Sequence, residues 1–187
     1  MNALTAGHFT AVQMIDTSIV RVHQHGACIA GNSEQLMGRS RGGLTTKIHA
    51  VVDTSGLPVR LALTTGEAQD NRLVVTLLSA LKSGAMPLAD RGFDADWIMT
   101  FVSEHGAWAN ILPKRNRKEA ICFSPYLYEA CFIPYLYEAR NLVERFFNKI
   151  KQRRRVATRY DKLAANYLAF IQLASIRLWL RVNESTP

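Results

Sequence analysis

An α/β fold, with a mixed sheet flanked by helices, is what the order of patterns along the chain predicts. Three observations carry it. The first half is rich in strand signals, including two β-rich runs, Leu44–Val52 and Leu57–Thr64, separated by the turn sequence DTSG. Helix and strand patterns then alternate. The stretch YEARNLVERFFNKIK, residues 137–151, has the apolar spacing of an amphipathic helix. A length of 187 residues suits one core-bearing domain.

Residues 1–9 show no clear pattern. From Ala11 to Val22, apolar and polar residues roughly alternate around β-branched positions, which predicts a strand. Residues 23–43 are rich in Gly, His, Ser and Arg and read as a loop. The two β-rich runs that follow form a hairpin, with Asp53 in its turn. Asp70 to Lys82 reads as a helix with an acidic start. Met86–Ala89 is a short buried strand ending at Asp90. Asp94–His105 is a helix with Asp94 as its cap, and Trp108–Leu112 another strand. Leu163–Leu180 is apolar but contains Asn166, Gln172 and Arg177, so it reads as a buried amphipathic helix.

CFSPYLYEA (122–130) is followed at once by CFIPYLYEA (131–139), which differs only at Ser124 and Ile133. Two copies of so short a unit cannot stack as a solenoid. An in-frame tandem duplication explains them. The first copy then either bulges out as a loop or extends the following helix back as far as Pro134 allows.

The net charge is +8. Between Leu112 and Tyr160 there are twelve Lys/Arg against four Glu, so this segment supplies the whole excess. Such a local field suits a polyanion. Cys28, Cys122 and Cys131 have no CxxC spacing and read as reduced thiols in a cytoplasm. No apolar run has transmembrane length, no signal peptide is present, and no membrane partner is expected. Neither a GxSxG elbow nor a P-loop occurs.

On the 137–151 helix, Tyr137, Arg140, Glu144 and Lys151 fall within about 60° of one another. A carboxylate among two cations and a phenol suits chemistry on phosphate. Asp16 lies in the first strand, and Asp90 ends a short apolar strand, where α/β folds collect their sites. Each acid alone is a weak signal. Together Asp16, Asp90 and Glu144 form a strand–strand–helix set of carboxylates, as a two-metal phosphoryl-transfer site requires. Two oxygen-ligated ions about 4 Å apart can activate one oxygen and stabilise another. Asp53, Asp70, Asp94 and Asp161 are expected to have structural roles. His23, His25 and His49 are not expected to form a metal site.

Y137-x2-R140-x3-E144-x6-K151 matches the Y-R-E-K signature of bacterial insertion-sequence transposases of the DDE class. GRSRGGLTTKIHAVVDTSGLPVR, LADRGFDAD and RNLVERFFNKIKQRRRVATRYDKLAANYLAF resemble the blocks of insertion sequence family 5, in order. The resemblance covers about residues 12–182. It implies a ribonuclease-H-like fold, and a catalytic triad of Asp16, Asp90 and Glu144 holding two Mg²⁺ (or Mn²⁺) ions. The implied reaction is cleavage at transposon ends and joining to target DNA. Arg39, Arg41, Lys47, Lys114, Arg115, Tyr137, Arg140, Lys151, Arg153, Arg154, Arg155 and Arg159 are expected to meet DNA, the backbone contacts without sequence choice.

Residues 1–11 then read as an N-terminal remnant, 12–182 as the catalytic domain and 183–187 as a tail. Members of the family usually carry a helical DNA-binding region before the first Asp. A separate N-terminal DNA-binding frame is therefore a possible partner, besides DNA itself and further copies of the chain assembled on it. A nucleoid-associated bacterial cytoplasmic location follows. Two other readings compete: a truncated, non-catalytic DNA-binding remnant, and a metal-dependent nuclease of the same fold.

Overall fold

The computed structural model describes residues 12–28, 31–124 and 134–184, with side chains described over 142–182 of the last segment. Its hub is β1 (Val12–Val22), in a sheet of seven strands among the described residues. One edge of β1 pairs antiparallel with β3 (Gly43–Val52), from Met14↔Val52 to Arg21↔Thr45. It also pairs in parallel with β5 (Met86–Ala89) through Val12↔Met86 to Met14↔Leu88, and with β7 (Thr158–Arg159) at Arg21 and Val22. β6 (Asn110–Ile111) adds in parallel to β5.

The expected hairpin forms between β3 and β4 (Pro58–Thr65). Asp53 closes its turn, its Oδ1 accepting from the backbone N–H of Ser55 at 2.9 Å and of Leu57 at 3.0 Å. Gly56 sits there at φ 72°, which a side chain rarely adopts. Residues 23–43 are not loop throughout. Gly38–Ser40 forms a short strand, β2, paired with the start of β3 across a turn in which Gly43 has φ 99°.

Successive residues of β1 point to opposite faces, which divides the interior in two. On one side Ile15 joins Val51 and Val59 with Val74 and Leu77 of α1 (Val74–Leu77) and Ile98 and Val102 of α2 (Asp96–Glu104). On the other, Met14, Val20, Ile48 and Ala50 meet Val143, Phe146, Phe147 and Ile150 of α3 (Pro134–Lys151). Val156 of α4 (Arg154–Ala157) and Tyr167 and Ile171 of α5 (Ala164–Glu184) complete this second core. α5 also reaches the first core through Trp179, whose Nε1 donates to the Pro58 carbonyl at 3.1 Å.

The expected helix over 70–82 shrinks to a 3₁₀ turn, Asp70–Leu73, and the single turn of α1. Leu77, Leu78 and Leu81 are buried all the same, so the apolar spacing that predicts a helix is met by a single turn and the loop after it. Helix α2 starts at Asp96 with Ala95 as its cap and no side-chain capping bond. Asp94 does not cap it. It is buried, and accepts from the Lys114 backbone N–H at 2.7 Å and from the Arg117 guanidinium. Helix α3 starts at Pro134, where a missing N–H costs nothing. That start falls inside the second nine-residue copy. Residues 1–11 and 125–133, which contain the N-terminal remnant and most of the first copy, lie outside the described residues.

Truncating Phe146, which is 1% exposed and anchors α3, should cost about 3–5 kcal/mol. Urea unfolding of Phe146→Ala should show a lower midpoint at an unchanged slope.

Candidate active site

The register of β1 against β5 builds the site's floor. Met14 pairs with Leu88, and Asp16 and Asp90 each lie two residues further along their chains. Neighbouring strands are about 4.8 Å apart, so the two acids emerge side by side at the carboxyl end of β5. Asp16 Oδ1 accepts from the Thr17 N–H at 2.7 Å, and Asp90 Oδ1 from the Gly92 N–H at 2.8 Å. Gly92 permits the tight 3₁₀ turn after Asp90. A Cβ there would stand 3.0 Å from Asp90 Oδ1 and 3.3 Å from Asp70 Oδ2.

The third acid arrives on α3, which packs on β1 through Val143, Phe146, Phe147 and Ile150. Glu144 is exposed beside this anchored stripe. Two turns on, Lys151 Nζ donates to Ser18 Oγ at 2.6 Å and to the Ile19 carbonyl at 3.1 Å. This contact fixes the helix to the strand that carries Asp16. Burial lowers the Lys151 ammonium pKa.

Electrostatics shows that the acids share one neighbourhood. Burial pushes the Asp16 carboxyl up to about 6. The Thr17 N–H opposes this, and the charges of Asp90, Glu144 and Asp70 add to it. Among the described residues, no three His, Cys, Asp or Glu side chains stand close enough to ligate one ion as they are. The acids repel across a shared gap. Their donor set is all carboxylate oxygen, which suits a hard divalent cation.

Asp70 is the member that sequence reasoning placed elsewhere. Its Oδ1 accepts from Thr17 Oγ1 at 2.7 Å and from Lys47 Nζ at 2.7 Å. Burial would raise its carboxyl, but the Lys47 ammonium and the Thr17 hydroxyl outweigh that and hold it below the ordinary value. Asp70 thus grips the residue after Asp16 and touches the turn after Asp90. No local pattern in GEAQDNR distinguishes it from a helix-start acid.

Lys47 is correspondingly not a surface cation on a DNA path. It is 6% exposed and bonds Asp70 and the Ala68 carbonyl. Arg159 is also buried, held by the Thr46 hydroxyl at 2.8 Å and the carbonyls of Asp161 and Lys162 at 2.9 Å. Both are structural. Lys114 Nζ is tied to the Asp94 carbonyl at 2.9 Å, and Arg155 lies over the Phe170 ring at 4.3 Å.

Arg39, Arg41, Arg115, Arg153 and Arg154 are exposed. Arg21, which the sequence reading passed over, joins the first two: its guanidinium lies 3.5 Å from where a Cβ on Gly42 would be. Tyr137 and Arg140 belong to α3, but their side chains lie outside the described ones. His49 bonds Thr64 Oγ1 at 2.7 Å, and burial beside Lys47 pushes it down to about 4, so it is neutral at pH 7. His23, stacked between His25 and Tyr160 with ring centroids 4.7 Å apart in each pair, stands at the far end of β1.

The profile of the transposase DDE domain matches residues 7–179. The chain belongs to the DDE transposase-domain family. A Brucella ovis protein named as a transposase for insertion sequence element IS6501 is 36% identical over 139 residues, covering 74% of this chain and 100% of that relative. Among solved structures, the piggyBac transposase synaptic complex with hairpin DNA aligns over 60% of this chain at 13% identity, with a TM-score of 0.44. The chain spans 25% of that larger protein. The transposase domain has the mixed α/β sheet flanked by helices that a ribonuclease-H-like fold requires, and family membership assigns it DNA transposase catalysis. Among its described residues no helix is long and apolar enough to cross a membrane.

The raised Asp16 pKa makes stability depend on pH. The folded state holds a proton that the unfolded chain releases near the ordinary value of 3.8, so Asp16 lowers stability as pH rises from about 4 through about 6. At about 1.4 kcal/mol per pKa unit, the loss is on the order of 2–3 kcal/mol. In metal-free buffer Asp16→Asn should therefore melt higher than wild type at pH 7, with the difference vanishing near pH 4. Thermal unfolding across that range checks it.

Proposed function

We propose that this transposase domain cuts DNA at the ends of its element and joins the freed 3′ hydroxyl to target DNA, using Asp16, Asp90 and Glu144 as the reactive constellation. The observation that carries the reading is the β1–β5 register, which sets Asp16 and Asp90 abreast under the anchored helix of Glu144. Three acids from three elements that sequence order separates have no evident folding role in common, and their mutual repulsion is a cost unless a cation relieves it.

In this reading Asp16, Asp90 and Glu144 hold two Mg²⁺ or Mn²⁺ ions, which supply charge neutralisation and activation of the attacking oxygen. Asp16, a buried carboxyl that the charges of Asp90 and Glu144 raise further, would hold the ions together with them. Asp90 is aimed by the Gly92 N–H. Glu144, exposed on its helix, is free to approach when DNA binds. Lys151 and Arg140 lie along the same helix as Glu144, where they meet the phosphate next to the scissile one. Tyr137 stacks on a base or bonds a phosphate. Arg39 and Arg41, joined by Arg21, carry DNA past the far end of β1, while Arg115, Arg153, Arg154 and Arg155 contribute to the wider field. Several copies of the chain assemble on DNA to bring two ends together.

A strand-transfer assay with pre-cut duplexes from the element's own termini and Mn²⁺ tests this. Wild type should give joined product, and Asp90→Asn or Glu144→Gln should reduce it at least about 10³-fold. Lys151→Ala should weaken DNA binding while divalent-ion binding survives. No joined product from wild type, or undiminished product from Glu144→Gln, would sink the proposal. Nicking without joining would point to a nuclease instead.

A further inference from the structure

A second basic feature lies on the other flank of α3. The β3–β4 turn, the end of α3 and the second half of α5 enclose a groove of about 190 Å³. Lys149, Arg153, Arg177 and Arg181 line it, with Ser55 and Gln152 beside them and, among the described residues, no carboxylate in its walls. Ile150, Ala174 and Leu178 provide an apolar floor.

Three facts separate this groove from ordinary surface charge. Lys149, Arg153 and Arg177 are exposed, and among the described residues none of them pairs with a carboxylate. Other cations are paired: Arg117 with Asp94 and Asp96, Arg155 with Asp161, and Lys47 with Asp70. The like charges of Lys149, Arg153 and Arg177 around one concavity repel, and an anion within it removes that repulsion. The groove also stands apart from the carboxylates, because Lys151 of the same helix turns the other way, onto Ser18 and Ile19 of β1.

We infer that this groove is a second DNA-binding site, which holds backbone phosphates of a duplex segment outside the catalytic cleft. The guanidinium and ammonium donors suit phosphate oxygens and carry no sequence information. The occupant is DNA because the domain handles DNA. To that extent the inference rests on the proposed function, but the groove itself requires none of the carboxylates. It binds flanking DNA while the scissile strand lies against Asp16, Asp90 and Glu144, which increases affinity for long duplexes over short ones.

The test uses Glu144→Gln as the background, so that binding is measured without cutting. Two independent variants are added, Arg177→Gln/Arg181→Gln on α5 and Lys149→Gln on α3. Binding of a 40-base-pair duplex is titrated at several salt concentrations, with thermal unfolding as the fold control. The expected result is a loss of at least about tenfold for the double variant. The slope of log affinity against log salt should also be shallower by about 2, and by about 1 for Lys149→Gln. Unchanged affinity and slope would overturn the inference. So would capture of a poly-glutamate peptide at the groove with DNA affinity unaffected. Failure of strand transfer by wild type would remove the proposed function and leave these binding results standing.

Discussion

The parallel pairing of β1 with β5, from Val12↔Met86 to Met14↔Leu88, is the constraint on which the proposed active site depends. Strand side chains alternate between faces, so a slip of one residue would turn Asp16 into the opposite core and Ile15 toward the gap. Burial specifies the register from both sides. Met14 belongs to the core under α3 and α5, and Ile15 to the core under α1 and α2. The apolar residues on either side of Asp16 therefore decide where its carboxylate emerges. Placement of the acids follows from packing, and their chemistry follows from placement. Burial raises Asp16, and the nearby Asp90, Glu144 and Asp70 add to the effect.

A second constraint sorts the domain's positive charges. Lys47, Arg117 and Arg159 are consumed by the fold: they bond carboxylates or carbonyls and are largely sequestered from solvent. Truncating one partner of such a pair leaves a charge unpaired, which is costly. Among the cations that stay exposed, Lys149 and Arg153 lie at the end of α3, and Arg21, Arg39 and Arg41 near the end of β1. The excess charge of the chain is thus not one field but several local ones, separated by helix α3 and strand β1.

Much of this was legible in the sequence. The amphipathic pattern from Leu142 to Ile150 predicted a helix with Glu144 beside its buried stripe. The alternation before Val22 and the apolar Met86–Ala89 run predicted the strands that bear Asp16 and lead to Asp90. The hairpin around Asp53 was readable because its turn chemistry is local. What was not readable depends on contacts distant in sequence. Lys47 and Arg159 looked like DNA ligands because a basic side chain gives no sign of being buried; only Asp70 and Thr46, placed by tertiary structure, make that possible. Asp70 itself looked like a helix-start acid. The helix expected after it was overestimated, because a single turn and the loop that follows bury Val74, Leu77, Leu78 and Leu81 with the same apolar spacing. Asp94 resembled a cap until Lys114 and Arg117 claimed it.

The central claim is that three carboxylates are held in mutual repulsion that a divalent cation relieves. The most direct test is a carboxyl-carbon NMR titration of Asp16, with and without Mg²⁺. In the metal-free domain Asp16 should titrate near 6, and Asp90→Asn with Glu144→Gln should bring it partway back toward 3.8. Adding Mg²⁺ to wild type should move its titration below 6 by a unit or more on the order expected for a close opposite charge. An Asp16 that titrates near 3.8 without metal, and does not respond to Mg²⁺, would contradict the account.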